Sequence, residues 1–179
     1  MALLRLVFGW QIVCYRKEIV MTVAEVEVYV KPESLTTAHS SKGYVTGIIY
    51  FSSGSFAFPE DVWDDFPVVI VGWWLNALTD YKYGAKEEVD LNFMDGSFLV
   101  RLSHRSDLST ETEMIQEKSG GDEVEFSAVA NMLRLYKSID EAADILIQFC
   151  ERKPTEVPYY PELVEAKRRA RDAFRNQLE

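Results

Sequence analysis

The residues of this sequence that could do chemistry are concentrated in one short acidic stretch. Four carboxylates and one tryptophan fall within six positions, Glu60, Asp61, Trp63, Asp64 and Asp65. Clustered carboxylates can hold Mg²⁺ or Ca²⁺, and could serve a small hydrolase or another metal-dependent enzyme. Their spacing matches no EF-hand, however, and no glycine provides the sharp turn that such a loop needs.

Two further roles are open to the same stretch. It directly precedes a predicted helix, and carboxylates stabilise the positive N-terminal end of a helix dipole. Alternatively, Trp63 among acids resembles the aromatic anchors found at the centre of protein interfaces. We therefore interpret Glu60, Asp61, Trp63, Asp64 and Asp65 as partner-binding residues. We assign no catalytic residue, metal ligand or cofactor.

Other reactive residues are few. The only histidines, His39 and His104, are both expected at the surface, and a His-rich metal site would need them to converge. No G-x-S-x-G, H-E-x-x-H, P-loop or G-x-G-x-x-G motif occurs. Cys14 and Cys150 are far apart and form no C-x-x-C, which favours reduced thiols in a cytoplasmic protein. Cys150 lies on an apolar stripe and is expected in the core.

The net charge of the chain limits the kinds of partner that it could bind. The 179-residue chain has a net charge of −10, and residues 58–126 contain sixteen acidic and only five basic residues. Such a balance argues against binding nucleic acid, whose phosphates require an excess of Lys and Arg. It favours a basic protein partner, or an acidic surface that serves only solubility. The oligomeric state cannot be deduced from the sequence.

The first twenty residues have several possible roles. An apolar run of about 15 residues is too short to span a membrane and is not followed by a signal-peptide cleavage site. Met21 opens a strand pattern immediately afterwards, so we interpret residues 1–20 as an upstream extension of a protein that begins at Met21. A first strand or helix and a membrane-seeking segment remain open alternatives.

A β-hairpin is the clearest structural element. Two alternating runs within residues 89–103 are joined by Asp95-Gly96, a strong two-residue turn signal. Because strand side chains alternate between faces, this turn fixes the register. The predicted cross-strand pairs are Phe93 with Phe98, Leu91 with Val100, Val89 with Leu102, Asn92 with Leu99, and Asp90 with Arg101.

The remaining elements predict an α+β domain over residues 21–153. Alternation and turn residues indicate further strands at 22–30, 44–51, 56–58, 110–118 and 122–126. Residues 68–80 predict a largely buried central helix, with Asp65 as its possible cap, although the β-branched run 68–71 allows a strand. The sheet is expected to be mainly antiparallel, with C-terminal helices on one face.

The C-terminal part of the sequence is predicted to be helical. Residues 128–152 form one helix or two, because Ser138 and Glu141 match a capping box that would start a second helix. Three prolines then make residues 154–161 an extended linker. Residues 162–179 are predicted to form a charged helix that packs lightly or awaits a partner.

Residues 58–103 carry a family resemblance. Phe-Pro-Glu-Asp-Val-Trp-Asp-Asp at 58–65, an apolar helix, and Asn-Phe-Met-Asp-Gly-Ser-Phe at 92–98 resemble small bacterial immunity-type proteins of polymorphic toxin systems. The resemblance implies a non-enzymatic cytoplasmic protein that binds and blocks a toxin domain. The acidity is compatible with a basic toxin. A carboxylate-based enzyme and a structural or self-associating domain are the alternatives.

Overall fold

The computed structural model describes residues 23–37, 43–106, 108–153 and 157–178, and it has an α+β fold with mainly antiparallel sheets. This confirms the predicted fold class. The helices are α1 Pro67–Lys82, α2 Met132–Glu151 and α3 Tyr160–Leu178. The strands are β1 Val23–Ala24, β2 Glu27–Val30, β3 Thr36–Thr37, β4 Val45–Ser53, β5 Phe56–Phe58, β6 Asp64–Asp65, β7 Glu88–Asn92, β8 Phe98–Ser106, β9 Ser109–Gln116 and β10 Glu123–Asn131.

Two sheets share one core. The first has the strand order β1-β10-β9-β8-β7, and only the β1–β10 pairing is parallel. The second is built around β4, which pairs with β2, β3, β5 and β6. The chain crosses between the sheets at residues 25–26, so the single strand predicted at 22–30 is two strands. Val26, Val28 and Val30 still alternate into the core, as the sequence pattern indicated.

The predicted hairpin register is confirmed. Asp90, Leu91 and Asn92 pair with Arg101, Val100 and Leu99, as predicted. The Phe93 N–H donates to the Phe98 carbonyl over 3.0 Å, which places these two residues opposite each other. Arg101 donates two hydrogen bonds to Asp90, of 2.8 and 3.1 Å, so this cross-strand pair is a bidentate ion pair.

Helix α1 is central to the fold. It contacts β4 and β7 as well as both other helices. Trp74 is fully buried and packs against Phe51 and Phe93, with ring centroids 4.8 and 5.3 Å away. The buried-helix prediction is therefore confirmed, and the rival strand at 68–71 is wrong. Phe66 occupies the N-cap position without a side-chain cap bond, so Asp65 does not cap this helix.

The structure differs from the helix prediction for residues 128–152. Residues 128–131 belong to β10, and one uninterrupted helix follows from Met132. Asn131 caps it by accepting a hydrogen bond from the Arg134 N–H. Ser138 therefore does not start a helix, and the capping-box prediction is wrong. Its hydroxyl accepts from the Val28 N–H over 3.0 Å and donates to the Leu135 carbonyl over 2.9 Å, which joins α2 to the edge of β2.

Helix α3 is packed firmly, and the prediction of light packing is wrong. It lies against α1 and α2, with Leu163, Ala166, Ala170 and Phe174 buried. The Phe174 ring stacks on Tyr136 at 4.2 Å. Lys167 is also buried, and its ammonium pairs with Asp140 and Asp144 on α2. Three arginines of α3 also make ion pairs at the surface, namely Arg168, Arg171 and Arg175.

Some predictions fall outside the described residues. The assignments made for residues 1–20, Met21, Cys14 and His39 lie there, as does part of the linker at 154–161. Within the described residues, Cys150 is buried and His104 is exposed, as expected. None of the helices described by the structure is both long and apolar enough to cross a membrane.

Candidate binding site

The acidic stretch forms the connection between β5 and α1. Its last two residues, Asp64 and Asp65, pair with Ile48 and Gly47 as the short strand β6. The Ile49 N–H donates to the Trp63 carbonyl over 3.0 Å, so the connection is fastened to β4. Because side chains alternate along a strand, Asp64 points outwards and Asp65 points into the protein. Two adjacent carboxylates therefore have different environments.

Asp65 is 1% exposed and is surrounded by donors. Its Oδ1 accepts from the Phe66 N–H over 2.7 Å. Its Oδ2 accepts from the N–H groups of Met94 and Asp95, over 3.1 and 3.2 Å, and from the Trp63 indole over 3.3 Å. Asp65 thereby attaches the tip of the β7–β8 hairpin to the acidic connection. It is not available to a partner, so it does not fit the partner-binding role expected of it.

The ionisation of Asp65 reflects two opposing effects. Burial raises the pKa of its carboxyl group above the ordinary value, because desolvation penalises the charged form. The donors on Phe66, Asp95, Trp63 and Met94 lower the pKa, and burial is the larger effect.

Asp64 faces solvent beside a second acid. Partial burial raises its pKa, and the negative charge of Asp95 at the hairpin tip raises it further. Two like charges from separate loops, those of Asp64 and Asp95, therefore influence each other. We did not predict Asp95 as a site residue from the sequence, because an aspartate is already expected before glycine in a hairpin turn.

Trp63 packs between the acidic connection and the β7–β8 hairpin. Its ring is half-buried and packs edge-on against Phe98, with centroids 5.1 Å apart. Gly96 lies against both rings, since a Cβ at that position would be 2.8 Å from Phe98 and 3.1 Å from Trp63. Gly96 also has a φ of 74°, in the left-handed region that favours glycine. Trp63 is thus partly a packing residue between the two loops.

The exposed residues of the two loops form what we call the acidic surface. Glu60, Asp61, Asp64 and Asp95 are its exposed carboxylates. Val62 is 61% exposed and Met94 is 39% exposed, so each loop adds one large apolar side chain. Sequence reasoning missed both apolar residues. A methionine next to a tight turn is the signal that could have identified Met94, since turns are usually polar.

Tyr50 extends the acidic surface onto the second sheet. Burial is the first cause that raises the pKa of its hydroxyl, followed by the neighbouring Tyr29 and by the charge of Asp61. The rings of Tyr29 and Tyr50 are 5.4 Å apart, and Tyr29 is 53% exposed. Aromatic side chains with polar tips are common at interfaces.

The described residues of the acidic surface include neither a metal-binding cluster nor a histidine. Within the described part of the chain, no group of three or more His, Cys, Asp or Glu is placed to hold a metal ion. His104 is not part of the acidic surface, since it lies beside Tyr81 on another part of the molecule with ring centroids 6.0 Å apart. A comparison of the chain with protein-family models, curated proteins and solved structures found no match to any of them.

Proposed function

We propose that this protein is a binding protein that uses the acidic surface to contact a basic protein partner. One observation carries the proposal. Two loops distant in sequence each present an exposed apolar residue, Val62 and Met94, among carboxylates, and the buried carboxylate of Asp65 holds the two loops together. Exposed apolar side chains near charged ones are typical of protein interfaces, where they combine apolar contact with a polar rim.

Charge and apolar contact would have different roles in this interaction. Four exposed carboxylates would attract a basic partner over a distance and so accelerate association. Val62 and Met94 would lose water only after docking, and would therefore slow dissociation. An immunity protein that blocks a basic toxin domain in the cytoplasm is the specific function that we propose, in line with the resemblance at residues 58–103.

The first experiment uses paired charge reversals. The bait is the wild-type protein, the double variant Asp61→Lys/Asp64→Lys, or the control Glu87→Lys/Glu141→Lys, in pull-downs from the native host. Glu87 and Glu141 are exposed carboxylates outside the acidic surface, so the control has the same change in charge. A basic protein should be retained by the wild type and the control and lost by the Asp61/Asp64 variant.

The second experiment measures kinetics with the retained protein at two salt concentrations. The association rate should fall as salt rises, because screening shortens the range of the attraction. Val62→Ala and Met94→Ala should mainly raise the dissociation rate. Co-expression then tests the immunity role, since the wild type should relieve growth arrest caused by the partner. Binding that is independent of salt and unaffected by all these substitutions would show that the interface is elsewhere.

A further inference from the structure

A second candidate site lies between α1 and α3. The two helices approach each other closely at Gly72, where a Cβ would lie 3.7 Å from the Leu163 Cα, and a cavity of about 220 Å³ lies beside this contact. This volume suits one side chain better than a drug-sized ligand. The cavity is lined by Val68, Val69, Gly72, Trp73, Asn76, Tyr159, Glu162 and Leu163.

Two aromatic side chains border this cavity and remain open to solvent. Trp73 is 45% exposed although the adjacent Trp74 is fully buried, and Tyr159 is 42% exposed. Tyr159 has a φ of 63°, in the left-handed region that non-glycine residues rarely adopt. Its ring is held against Tyr44, with centroids 5.9 Å apart, and Tyr44 packs edge-on against Phe66. The Tyr159 ring therefore contacts the ring of Tyr44 while part of it stays open to solvent.

The charged side chain among the residues that line the cavity is negative. Glu162 is exposed, and its carboxylate makes no ion pair within the part of the chain that the structure describes. Asn76, which also lines the cavity, accepts a hydrogen bond from Arg169 over 3.2 Å. The Arg169 guanidinium therefore lies next to the lining at Asn76, two helical turns along α3 from Glu162. A ligand in the cavity would therefore meet two aromatic side chains and one carboxylate.

We propose that this cavity, which we call the aromatic pocket, binds the cationic side chain of an arginine or lysine on a protein partner. Aromatic faces attract cations through the negative potential of their rings, and tryptophan does so most strongly. The Glu162 carboxylate adds a second attraction. Arginine fits best, because its planar guanidinium can stack on a ring and also donate two hydrogen bonds to a carboxylate.

Ring contacts join the aromatic pocket to the start of helix α1. Phe66 follows Asp65 directly, and the ring contacts from Phe66 through Tyr44 to Tyr159 connect the acidic connection with the pocket. The proposal does not depend on a partner at the acidic surface, because the cation-binding residues all belong to the pocket itself.

The test is a titration followed by the indole N–H signals of the protein in NMR spectra. The probes are Nα-acetyl-arginine methylamide and its neutral analogue Nα-acetyl-citrulline methylamide. The Trp73 signal, assigned with Trp73→Phe, should shift and saturate with arginine at a dissociation constant on the order of millimolar. Citrulline should bind about fivefold more weakly or not at all, since it lacks the charge.

Two variants test whether the Glu162 carboxylate contributes to arginine binding. Glu162→Gln should weaken arginine binding about fivefold, whereas Glu165→Gln removes an exposed carboxylate from the same helix outside the pocket and should have no effect. Equal binding of arginine and citrulline, an unshifted Trp73 signal, or equal effects of the two variants would each overturn the proposal. Because no protein partner is used, such a failure is separate from a failure of the acidic surface to bind one.

Discussion

The carboxylate of Asp65 accepts a hydrogen bond from the backbone N–H of Met94, 29 residues further along the chain and 3.1 Å away. The same oxygen also accepts from the Asp95 N–H, so one side chain satisfies two donors of the hairpin turn. The hairpin tip and the acidic connection are therefore held together by a buried carboxylate, much as a cap satisfies the free donors at a helix end.

Replacing Asp65 should destabilise the protein strongly. Asp65→Ala leaves several buried donors without an acceptor, and should lower the free energy of unfolding by about 3 kcal/mol. Asp65→Asn keeps one acceptor oxygen and should lower it by about half as much. Asp64→Asn is the control, and should change it by less than about 0.5 kcal/mol, because Asp64 is exposed. Urea denaturation measures all three, and equal effects at both positions would contradict the assigned role of Asp65.

Two adjacent tryptophans should respond differently to truncation. Trp74 is fully buried, and its indole donates to the Asn92 carbonyl over 2.8 Å. Trp74→Ala should lower the free energy of unfolding by about 3–5 kcal/mol, because it leaves a large cavity and an unpaired carbonyl. Trp73→Ala should cost less than about 1 kcal/mol, because Trp73 is half-exposed. A similar loss for both, measured by denaturant unfolding, would mean that α1 is rotated relative to the core.

At position 159, a glycine variant should be more stable than an alanine variant, which is the reverse of the usual order. Both Tyr159→Gly and Tyr159→Ala remove the ring that contacts Tyr44, so their difference reports the backbone alone. At a φ of 63° the left-handed conformation is unfavourable for alanine and not for glycine. We expect the glycine variant to be more stable by about 1 kcal/mol in urea unfolding. A more stable alanine variant would show that Tyr159 has an ordinary backbone conformation.

Cys150 should be unreactive in the folded protein. Burial raises the pKa of its thiol to about 11, although the charge of Lys153 opposes the shift. In a Cys14→Ser background at pH 8, iodoacetamide should alkylate the native protein about a hundredfold more slowly than the urea-unfolded chain. Equal alkylation rates in the two states would contradict the burial of Cys150.

The same shift gives stability a pH dependence. The thiol ionises more readily in the unfolded chain than in the fold, so the unfolded state binds fewer protons between the two pKa values. The free energy of unfolding should therefore fall as pH rises through about 9 towards 11. Cys150→Ala should remove that part of the decrease.

Local patterns were sufficient where the structure depends on near neighbours. The register of the β7–β8 hairpin was predicted because the Asp95-Gly96 turn and the alternation of side chains act within fifteen residues. The burial of α1 was predicted because its residues leave almost no polar face. Ser138 shows the limit of such patterns. The capping-box signal is present, but the hydroxyl bonds to Val28, 110 residues away, and the helix continues through it.

The amino-acid sequence by itself determined the α+β fold class, the hairpin register, the buried central helix and the concentration of acid in the middle of the chain. Only the tertiary structure decided which acids are exposed. Pairing of β6 with β4 turns Asp65 inwards and Asp64 outwards, and folding brings Met94 and Asp95 beside them. Packing of α3 against α1 likewise leaves Trp73 open beside Tyr159. These outcomes depend on contacts between segments distant in sequence. Local periodicity predicts secondary structure and does not predict such contacts.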